Sequence, residues 1–365
     1  MNVPGFTRRR CLALLAASGG LGLARADAPH RGMTIALPRD FGAHPEQRIE
    51  WWYITGRLLA ESDAQAEYGF QLTFFRSLGP AAADHPSRFA ARELIVGHLA
   101  ISDVRAQRLR HAERVARAGF GLAEAATHDT DLRLHDWTLR REAQAGSHRY
   151  LARLQGGEIG LELQLAATQP VLLQGEHGWS RKGPRPEDAS GYLSEPQLDA
   201  AGEITLDGRR VAVRGRAWLD HEWSDALLPP QAVGWDWCGI NLDDGGALTA
   251  FRLRRADGSA LWAGGSHRPA GGATRAFGPD ELRFTPLAHW TSAATGGRYP
   301  VAWRLETPLG VHELRARFAA QELDARRSSG AVYWEGLSRL HRAGGGEPVG
   351  DGYLEMTGYA APLSI

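Results

Sequence analysis

One short stretch of the chain, GRAWLDHEWSD (Gly215 to Asp225), places two carboxylates and a histidine side by side between tryptophans. Alternate residues of an extended strand face opposite sides, so His221 and Trp223 share an apolar face while Asp220 and Glu222 share the other. A carboxyl group in apolar surroundings either binds a donor or becomes a neutral acid, the form that acid catalysis near neutral pH requires. The stretch therefore predicts a titratable site at the end of a β-strand.

Two other strands each carry one carboxylate on an apolar face. They are EWWYITGRL, which contains Glu50, and GWDWCGINL, which contains Asp236. We predict that Asp236 is a catalytic acid and His221 the matching base, both projecting into a water-poor hollow between two similar halves. The alternative for each is a buried structural ion pair, because such pairs also perturb pKa values.

The remaining polar residues of these strands have predicted structural roles. Asp220 and Glu222 are expected to pair with arginines across a domain interface, and Glu50 to bind a donor. His98, in GHLAISD, is expected to be a core histidine bonded to a backbone carbonyl. Large aromatic side chains could instead line a ligand, although filling the core is their commoner role. The candidate ligand-binding residues are Trp52, Tyr53, Trp223, Trp235 and Trp237.

The elements that position these residues are short alternating runs such as YGFQLTFFRS, IGLELQLAA and VHELRARF, separated by Gly, Asn, Asp-Gly or Pro. This pattern is typical of an all-β antiparallel protein. A barrel of about eight strands leaves no free sheet edge and can hold one apolar ligand. Only RHAERVARAGFG and GPDEL are expected to form a short helix or turn.

An internal repeat predicts two related domains. EWWYITGRL followed by YGFQLTFFR resembles GWDWCGINL followed by GALTAFRLR, with Trp51 aligned on Trp235 and Phe75 on Phe251. Pro229 and Pro230 cannot continue a central strand, so the predicted domains are 29–228 and 229–365.

The first 28 residues run from a basic segment through a short apolar one to two Ala-x-Ala sites, which predicts an export signal with a loose twin-arginine pattern. We therefore expect a periplasmic or secreted protein. The whole chain balances 42 basic against 42 acidic residues, which gives no support to nucleic-acid binding. Only Cys238 remains beyond the signal, and the absence of His-Glu-x-x-His or Cys-x-x-Cys motifs predicts neither metal nor cofactor.

An ordered set of motifs, including EWWYITGRL, GHLAISD, QGEHGWSRKG, GRAWLDHEWSD, YWEGLSRL and GDGYLEMTGY, resembles the secreted AttH and carotenoid 1,2-hydratase family. The resemblance implies two tandem lipocalin-like barrels that bind a hydrophobic small molecule. It further implies hydration of an isoprenoid or polyene double bond without a cofactor. We also expect peripheral contact with a membrane for ligand uptake. His221 and Trp223 match the family's His-x-Trp pair, whereas Asp236 lacks the Tyr-x-Asp spacing. A non-catalytic carrier and a secreted hydrolase are the alternatives, and the oligomeric state stays open.

Overall fold

The computed structural model describes residues 28–79 and 85–363, so nearly all of the predicted export signal lies outside the described residues. The chain is all-β, as predicted, and its strands form two antiparallel sheets. Two 3₁₀ turns, at Arg39–Phe41 and Pro279–Glu281, are its helical elements within the described ranges. In those ranges no helix has the length and apolar character needed to cross a bilayer.

The first sheet has thirteen strands and fills the first half of the chain. They are β1 (Ile49–Ala60), β2 (Asp63–Leu78), β3 (Glu93–Asp103), β4 (Arg108–Arg117), β5 (Ala123–Ala125), β6 (Asp131–Leu134), β7 (Trp137–Gln144), β8 (Ser147–Gly156), β9 (Ile159–Ala166), β10 (Leu172–Leu173), β11 (Trp179–Arg181), β12 (Ala189–Leu206) and β13 (Arg209–Ser224).

The second sheet has ten strands. They are β14 (Gly234–Leu242), β15 (Ala247–Arg254), β16 (Ala260–Arg268), β17 (Arg275–Phe277), β18 (Arg283–Thr291), β19 (Arg298–Thr307), β20 (Gly310–Ala316), β21 (Glu322–Ala325), β22 (Ala331–Arg342) and β23 (Pro348–Thr357). Pro229 and Pro230 lie in the link between the sheets. The helix or turn expected in RHAERVARAGFG is wrong, because most of that segment forms β4, paired along its length with β3.

The two sheets repeat one topology. The first runs β4-β3-β2-β1-β13-β12-β9-β8-β7, and the second runs β17-β16-β15-β14-β23-β22-β20-β19-β18. Each sheet curls around its own apolar core, so the fold is a tandem pair of lipocalin-like barrels. In the first barrel β4 packs against β6, β8 and β9 at the seam.

The cross-strand registers correct the predicted alignment of the repeat. Trp51 pairs with Phe75 in the first barrel, and Trp237 pairs with Phe251 in the second. The counterpart of Trp51 is therefore Trp237, and the alignment of Trp51 on Trp235 is wrong by two residues. GWDWC offers two tryptophans, and only the pairing with the neighbouring strand distinguishes them.

Large side chains fill the interior of each barrel. Trp52, Trp137 and Tyr150 are fully buried in the first, and Trp303 and Trp334 in the second. Such cores leave little space for a ligand, because protein interiors are close-packed. The space for a ligand is outside the barrels, where they meet.

The barrels contact each other through the outer faces of their central strands. Tyr53 and Trp218 of the first barrel belong to one apolar cluster with Trp237, Leu337 and Tyr353 of the second. Polar bonds across this interface include Arg317 to Glu67 (2.5 Å) and the buried bonds Ser102 to Gln321 (2.9 Å) and Gln174 to Thr249 (3.0 Å). Both faces of β1 and of the second half of β13, from Ala217 to Ser224, are thus largely buried, one in the barrel and one in the interface.

Candidate active site between the barrels

The predicted catalytic pair, His221 and Asp236, does not form one site. His221 lies in the interior of the first barrel, stacked on Trp52 with 4.5 Å between ring centroids. Asp236 is fully buried and belongs to the second barrel, where Arg252 and Tyr359 bind it. Neither side chain lines the space between the barrels. The predicted convergence is therefore wrong, because the apolar face of each strand points into its own barrel.

His221 is part of a charge network centred on Glu50. One oxygen of Glu50 accepts hydrogen bonds from His221 Nε2 (2.8 Å) and His44 Nδ1 (2.7 Å), and the other accepts from Arg76 Nε (2.9 Å). Burial would raise the pKa of Glu50, but the bonds from the two histidines outweigh it and hold that pKa well below its usual range. Glu50 is thus an ionised anchor inside the barrel.

His44, Glu50 and His221 also have the spacing of a metal site, since their ligand atoms lie within 4.8 Å of one another. These three residues could hold a cation by geometry alone. The guanidinium of Arg76, only 1% exposed, already neutralises Glu50, and bonds to Asp40 and Glu50 outweigh burial to raise the pKa of His44 to about 9. A protonated histidine beside a buried arginine opposes metal binding, because a ligating histidine must be neutral.

Asp236 has the equivalent position in the second barrel. Glu50 pairs with Arg76 across β1 and β2, and Asp236 pairs with Arg252 across β14 and β15. Each pair is an ion pair facing inward, with nitrogen–oxygen distances of 2.9 and 2.7 Å. A second arginine, Arg254, also lies close to Asp236, with 3.2 Å between its Nε and the carboxylate. The repeat therefore conserves a buried acid–arginine bridge, which is a structural role.

A cavity of about 420 Å³ lies between the two barrels. Of the candidate ligand-binding residues, Tyr53, Trp235 and Trp237 line it, whereas Trp52 and Trp223 lie in the first barrel's interior and do not. Its other aromatic walls come from both sheets: Trp51, Phe75, Tyr192, Phe251 and Tyr333. This is the aromatic enclosure that an apolar ligand requires.

Asp220 and Glu222 face this cavity from β13. Asp220 accepts bonds from Ser194 (2.5 Å), Trp218 (2.8 Å) and Tyr192 (2.9 Å), and burial raises its pKa to about 7 in spite of them. The prediction that Asp220 and Glu222 pair with arginines across the interface is wrong. Their partners are neutral donors and one lysine.

That lysine is Lys182, just beyond β11. Its Nζ lies 3.0 Å from Glu222 Oε1, and Ser190 donates a bond of 2.6 Å to the same oxygen. Nζ also lies 4.5 Å from the ring centroid of Tyr192 and 4.3 Å from that of Phe251. The ion pair thus forms part of the cavity wall beside aromatic rings.

Two further carboxyl groups line the cavity from the second barrel. Glu335 on β22 and Glu355 on β23 are directly opposite each other across the two strands. Burial and the neighbouring carboxyl raise the pKa of Glu335 well above its usual range, and burial raises that of Glu355 to about 7. Like charges so close cannot both ionise easily, so the pair retains a proton near neutral pH.

Glu335 and Glu355 were not identified from the sequence, although each stands inside a quoted motif, YWEGLSRL and GDGYLEMTGY. The signal that marks them is the same as for Glu50: one carboxylate amid apolar and aromatic residues of a strand. We call Asp220, Glu335 and Glu355 the cavity acids.

The hydroxyl of Tyr53 and Oε1 of Glu335 lie in the cavity wall without a well-formed hydrogen bond, and the two groups interact with each other so that each shifts the pKa of the other. Both side chains are more than nine-tenths buried. Buried polar groups with incomplete hydrogen bonds are rare and costly, so this pair can form a further bond with an oxygen-bearing ligand or with water.

His98 also lines the cavity, and the expected bond to a backbone carbonyl is wrong. Its ring nitrogens lie 2.7 Å from the hydroxyl of Tyr333 and 2.9 Å from that of Ser328, both in the second barrel. Burial lowers the pKa of His98 to about 3, so it is neutral. Cys238 is fully buried in the second barrel, and burial raises its thiol pKa to about 12, which leaves it inert.

The chain was compared with known families and structures. The AttH-like family model matches residues 28–359. A Nitrosomonas europaea protein assigned to AttH is 44% identical, with 91% of this chain and 99% of that chain covered and a TM-score of 0.83.

More distant structures share the fold. Kievitone hydratase from Nectria haematococca is 16% identical, with 92% of this chain and 98% of that chain covered and a TM-score of 0.65. CghA in complex with Sch210972 is 15% identical, with 86% and 88% covered and a TM-score of 0.54. No curated protein sequence matches the chain. Since the family model spans almost the whole described chain, the protein belongs to the AttH-like family.

Proposed function

We propose that the protein binds a hydrophobic isoprenoid or polyene-like molecule in the interdomain cavity and hydrates one of its double bonds by acid–base chemistry. The observation that carries this proposal is the set of cavity acids, which keep protons near neutral pH inside an aromatic enclosure. The fold shared with an enzyme named as a hydratase is consistent with it.

The first step is proton transfer from Glu335 to one alkene carbon. Glu335 is the donor among the cavity acids because it lines the cavity with a pKa raised well above the usual range, whereas both oxygens of Asp220 accept bonds. The carbon left electron-poor becomes a carbocation facing Trp235 and Trp237, which line the same cavity. Aromatic faces stabilise a desolvated cation by up to about 2 kcal/mol.

In the second step a water molecule attacks the cation, and Glu222 accepts the proton that the water loses. Glu222 lines the same cavity, with its Oε1 3.0 Å from Lys182 Nζ, and is therefore placed to accept that proton. The product is a tertiary alcohol, and proton exchange with solvent restores Glu335 and Glu222. General acid and base steps of this kind contribute about 10²- to 10⁴-fold each.

The test begins with organic extraction of protein from its native source and identification of the bound lipid by mass spectrometry. That lipid and its dehydrated form are then incubated with the protein in ¹⁸O-labelled water. We expect one labelled hydroxyl in the product, and at least about 10²-fold slower labelling by Glu335→Gln. Glu124→Gln, an exposed residue of the first barrel, is the matched control. Full labelling by Glu335→Gln would eliminate Glu335 as the acid.

A second candidate function is ligand carriage without chemistry. It is favoured by Asp220 and Glu222, whose oxygens are already bound by Ser194, Trp218 and Ser190 in the manner of structural groups. If the protein is only a carrier, it should bind the extracted lipid again without changing it, and the lipid should gain no ¹⁸O from the labelled water.

We also propose export, on the composition of residues 1–28, and brief contact with a membrane during ligand uptake. Phe89 and Phe120 stack with 5.4 Å between ring centroids and are 70% and 50% exposed. Arg117 lies 4.0 Å from the centroid of Phe120, and exposed Val115 on the same strand lines the cavity. Apolar rings next to an arginine, at the cavity's edge, suit an anionic lipid surface. N-terminal sequencing of protein recovered from the periplasm tests the export step.

A further inference from the structure

Lys182 is the only lysine in a chain whose other 41 basic residues, out of 42 lysines and arginines, are all arginine. The composition alone suggests a genomic preference for arginine. The structure gives the exception a location: this one amine lines the interdomain cavity, with a side chain 17% exposed.

The fold places the Lys182 amine between the two barrels. Its backbone NH donates to the carbonyl of Asp188 at 2.7 Å, which fixes the turn after β11. From there Nζ contacts Glu222 at 3.0 Å and the rings of Tyr192 in the first barrel and Phe251 in the second.

Arginine can do everything that a structural role at this position requires. A guanidinium forms ion pairs and stacks on aromatic rings at least as well as an ammonium, and it stays charged at any physiological pH. What only lysine can do is lose its proton and use its nitrogen lone pair as a nucleophile. A lysine kept in an aromatic cavity, in a chain that otherwise uses arginine, therefore points to covalent chemistry.

We propose that Lys182 forms an imine with an aldehyde or ketone group of an apolar ligand. This inference rests on the proposed use of the cavity for ligand binding and names a further reaction there. Glu222 accepts a proton from the ammonium, and the freed amine attacks the carbonyl carbon. The carbonyl oxygen leaves as water, carrying both hydrogens that the nitrogen loses. The product is a protonated imine, so the net charge is unchanged.

The surroundings of Lys182 suit each stage of this reaction. Glu222, at 3.0 Å, is the carboxylate counterion that a protonated imine needs, and the rings of Tyr192 and Phe251 stabilise the cation. The hydroxyl of Tyr53 and the carboxyl of Glu335 line the same cavity and can donate hydrogen bonds to the departing oxygen. Conjugation of the imine to a carbon–carbon double bond would also make that bond more open to attack by water.

The test uses citral, a conjugated isoprenoid aldehyde, with cyanoborohydride to reduce any imine to a stable amine. The N-terminal amine is the chain's other primary amine and so measures non-specific reaction within the same sample. We expect peptide mapping by mass spectrometry to show labelling of Lys182 that saturates with citral concentration and is at least about tenfold faster than labelling of the N-terminus. Butanal, a short aldehyde with little apolar surface, should lose that preference.

Two variants separate the contribution of the Lys182 amine from that of Glu222 as proton acceptor. Lys182→Arg should label only at the N-terminus, at the wild-type rate. Glu222→Gln should label Lys182 more slowly, because it lacks the proton acceptor. Quenching of tryptophan fluorescence reports citral binding independently of the covalent step. Quenching without an adduct, or equal labelling of both amines, would overturn the imine and leave the proposed cavity intact. Absence of both quenching and adduct would overturn the imine together with the proposed ligand site.

Discussion

Replacing Glu50 by alanine should destabilise the first barrel severely, because Glu50 anchors a buried charge network. Its carboxylate is fully buried and accepts bonds from Arg76, His44 and His221. Without it, Arg76, itself 1% exposed, retains Glu93 at 3.0 Å and the carbonyl of Gln47 at 2.8 Å. Removing one partner of a buried ion pair costs about 3–5 kcal/mol, a large share of a domain's stability of about 5–15 kcal/mol.

The assay is urea unfolding followed by tryptophan fluorescence, since Trp52 and Trp223 lie in the same network. Glu93→Ala is the matched control: it removes the other carboxylate bound to Arg76, but one whose side chain is 24% exposed. Partly exposed pairs contribute about 0–1 kcal/mol, so the two variants should differ by at least about 2 kcal/mol. Equal losses for both variants would refute the structural role given to Glu50 and reopen the case for His221 as a catalytic base.

Hydration and ligand affinity should both fall as pH rises through about 7, where the cavity acids begin to lose their protons. Because the pKa values of the cavity acids are raised in the folded state, the protein should become less stable as pH rises from the ordinary carboxyl range to about 7. A hydration rate or a melting temperature that increases with pH over this range would contradict this. Asp236→Asn leaves Arg252 and Arg254 without their carboxylate, so it should lower the free energy of unfolding by about 3 kcal/mol. The folded variant should keep its turnover. Loss of turnover with unchanged stability would restore Asp236 as a catalytic acid. The double variant Phe89→Ser, Phe120→Ser should reduce co-sedimentation with phosphatidylglycerol vesicles by about tenfold or more, without changing the quenching of tryptophan fluorescence by citral. Unchanged co-sedimentation would show that these two phenylalanines have no role in ligand uptake from a membrane.

Much of the fold could be predicted because strand alternation and turn residues are local signals. β9, with the sequence IGLELQLA, alternates buried and exposed side chains as its pattern indicates. The register of the repeat could not be read in the same way, since the two tryptophans of GWDWC fit Trp51 equally well. Pairing of Trp237 with Phe251 depends on the neighbouring strand, which a single segment does not specify.

The site was harder to predict than the fold because burial by a second domain is invisible in one strand. The sequence places His221 on the apolar face of β13, but it predicts that this face borders the hollow between the two halves, whereas the face points into the first barrel. The sequence also places the other face, with Asp220 and Glu222, at a domain interface but predicts arginine partners there, whereas the structure gives a cavity and the partners are neutral donors and Lys182. Glu335 and Glu355 become neighbours only after β22 and β23 pair, so their spacing in the sequence does not reveal their interaction.

The matched registers of the two barrels have an evolutionary consequence. Glu222 pairs with Trp51 as Glu355 pairs with Trp237, so the two glutamates have equivalent positions in the two barrels. Both line the cavity between the barrels. An ancestral single-barrel chain that docked against its own twin would have carried this acid twice, related by symmetry. Once the two copies belong to one chain, each can have different neighbours: Glu222 lies beside Lys182, and Glu355 lies opposite Glu335.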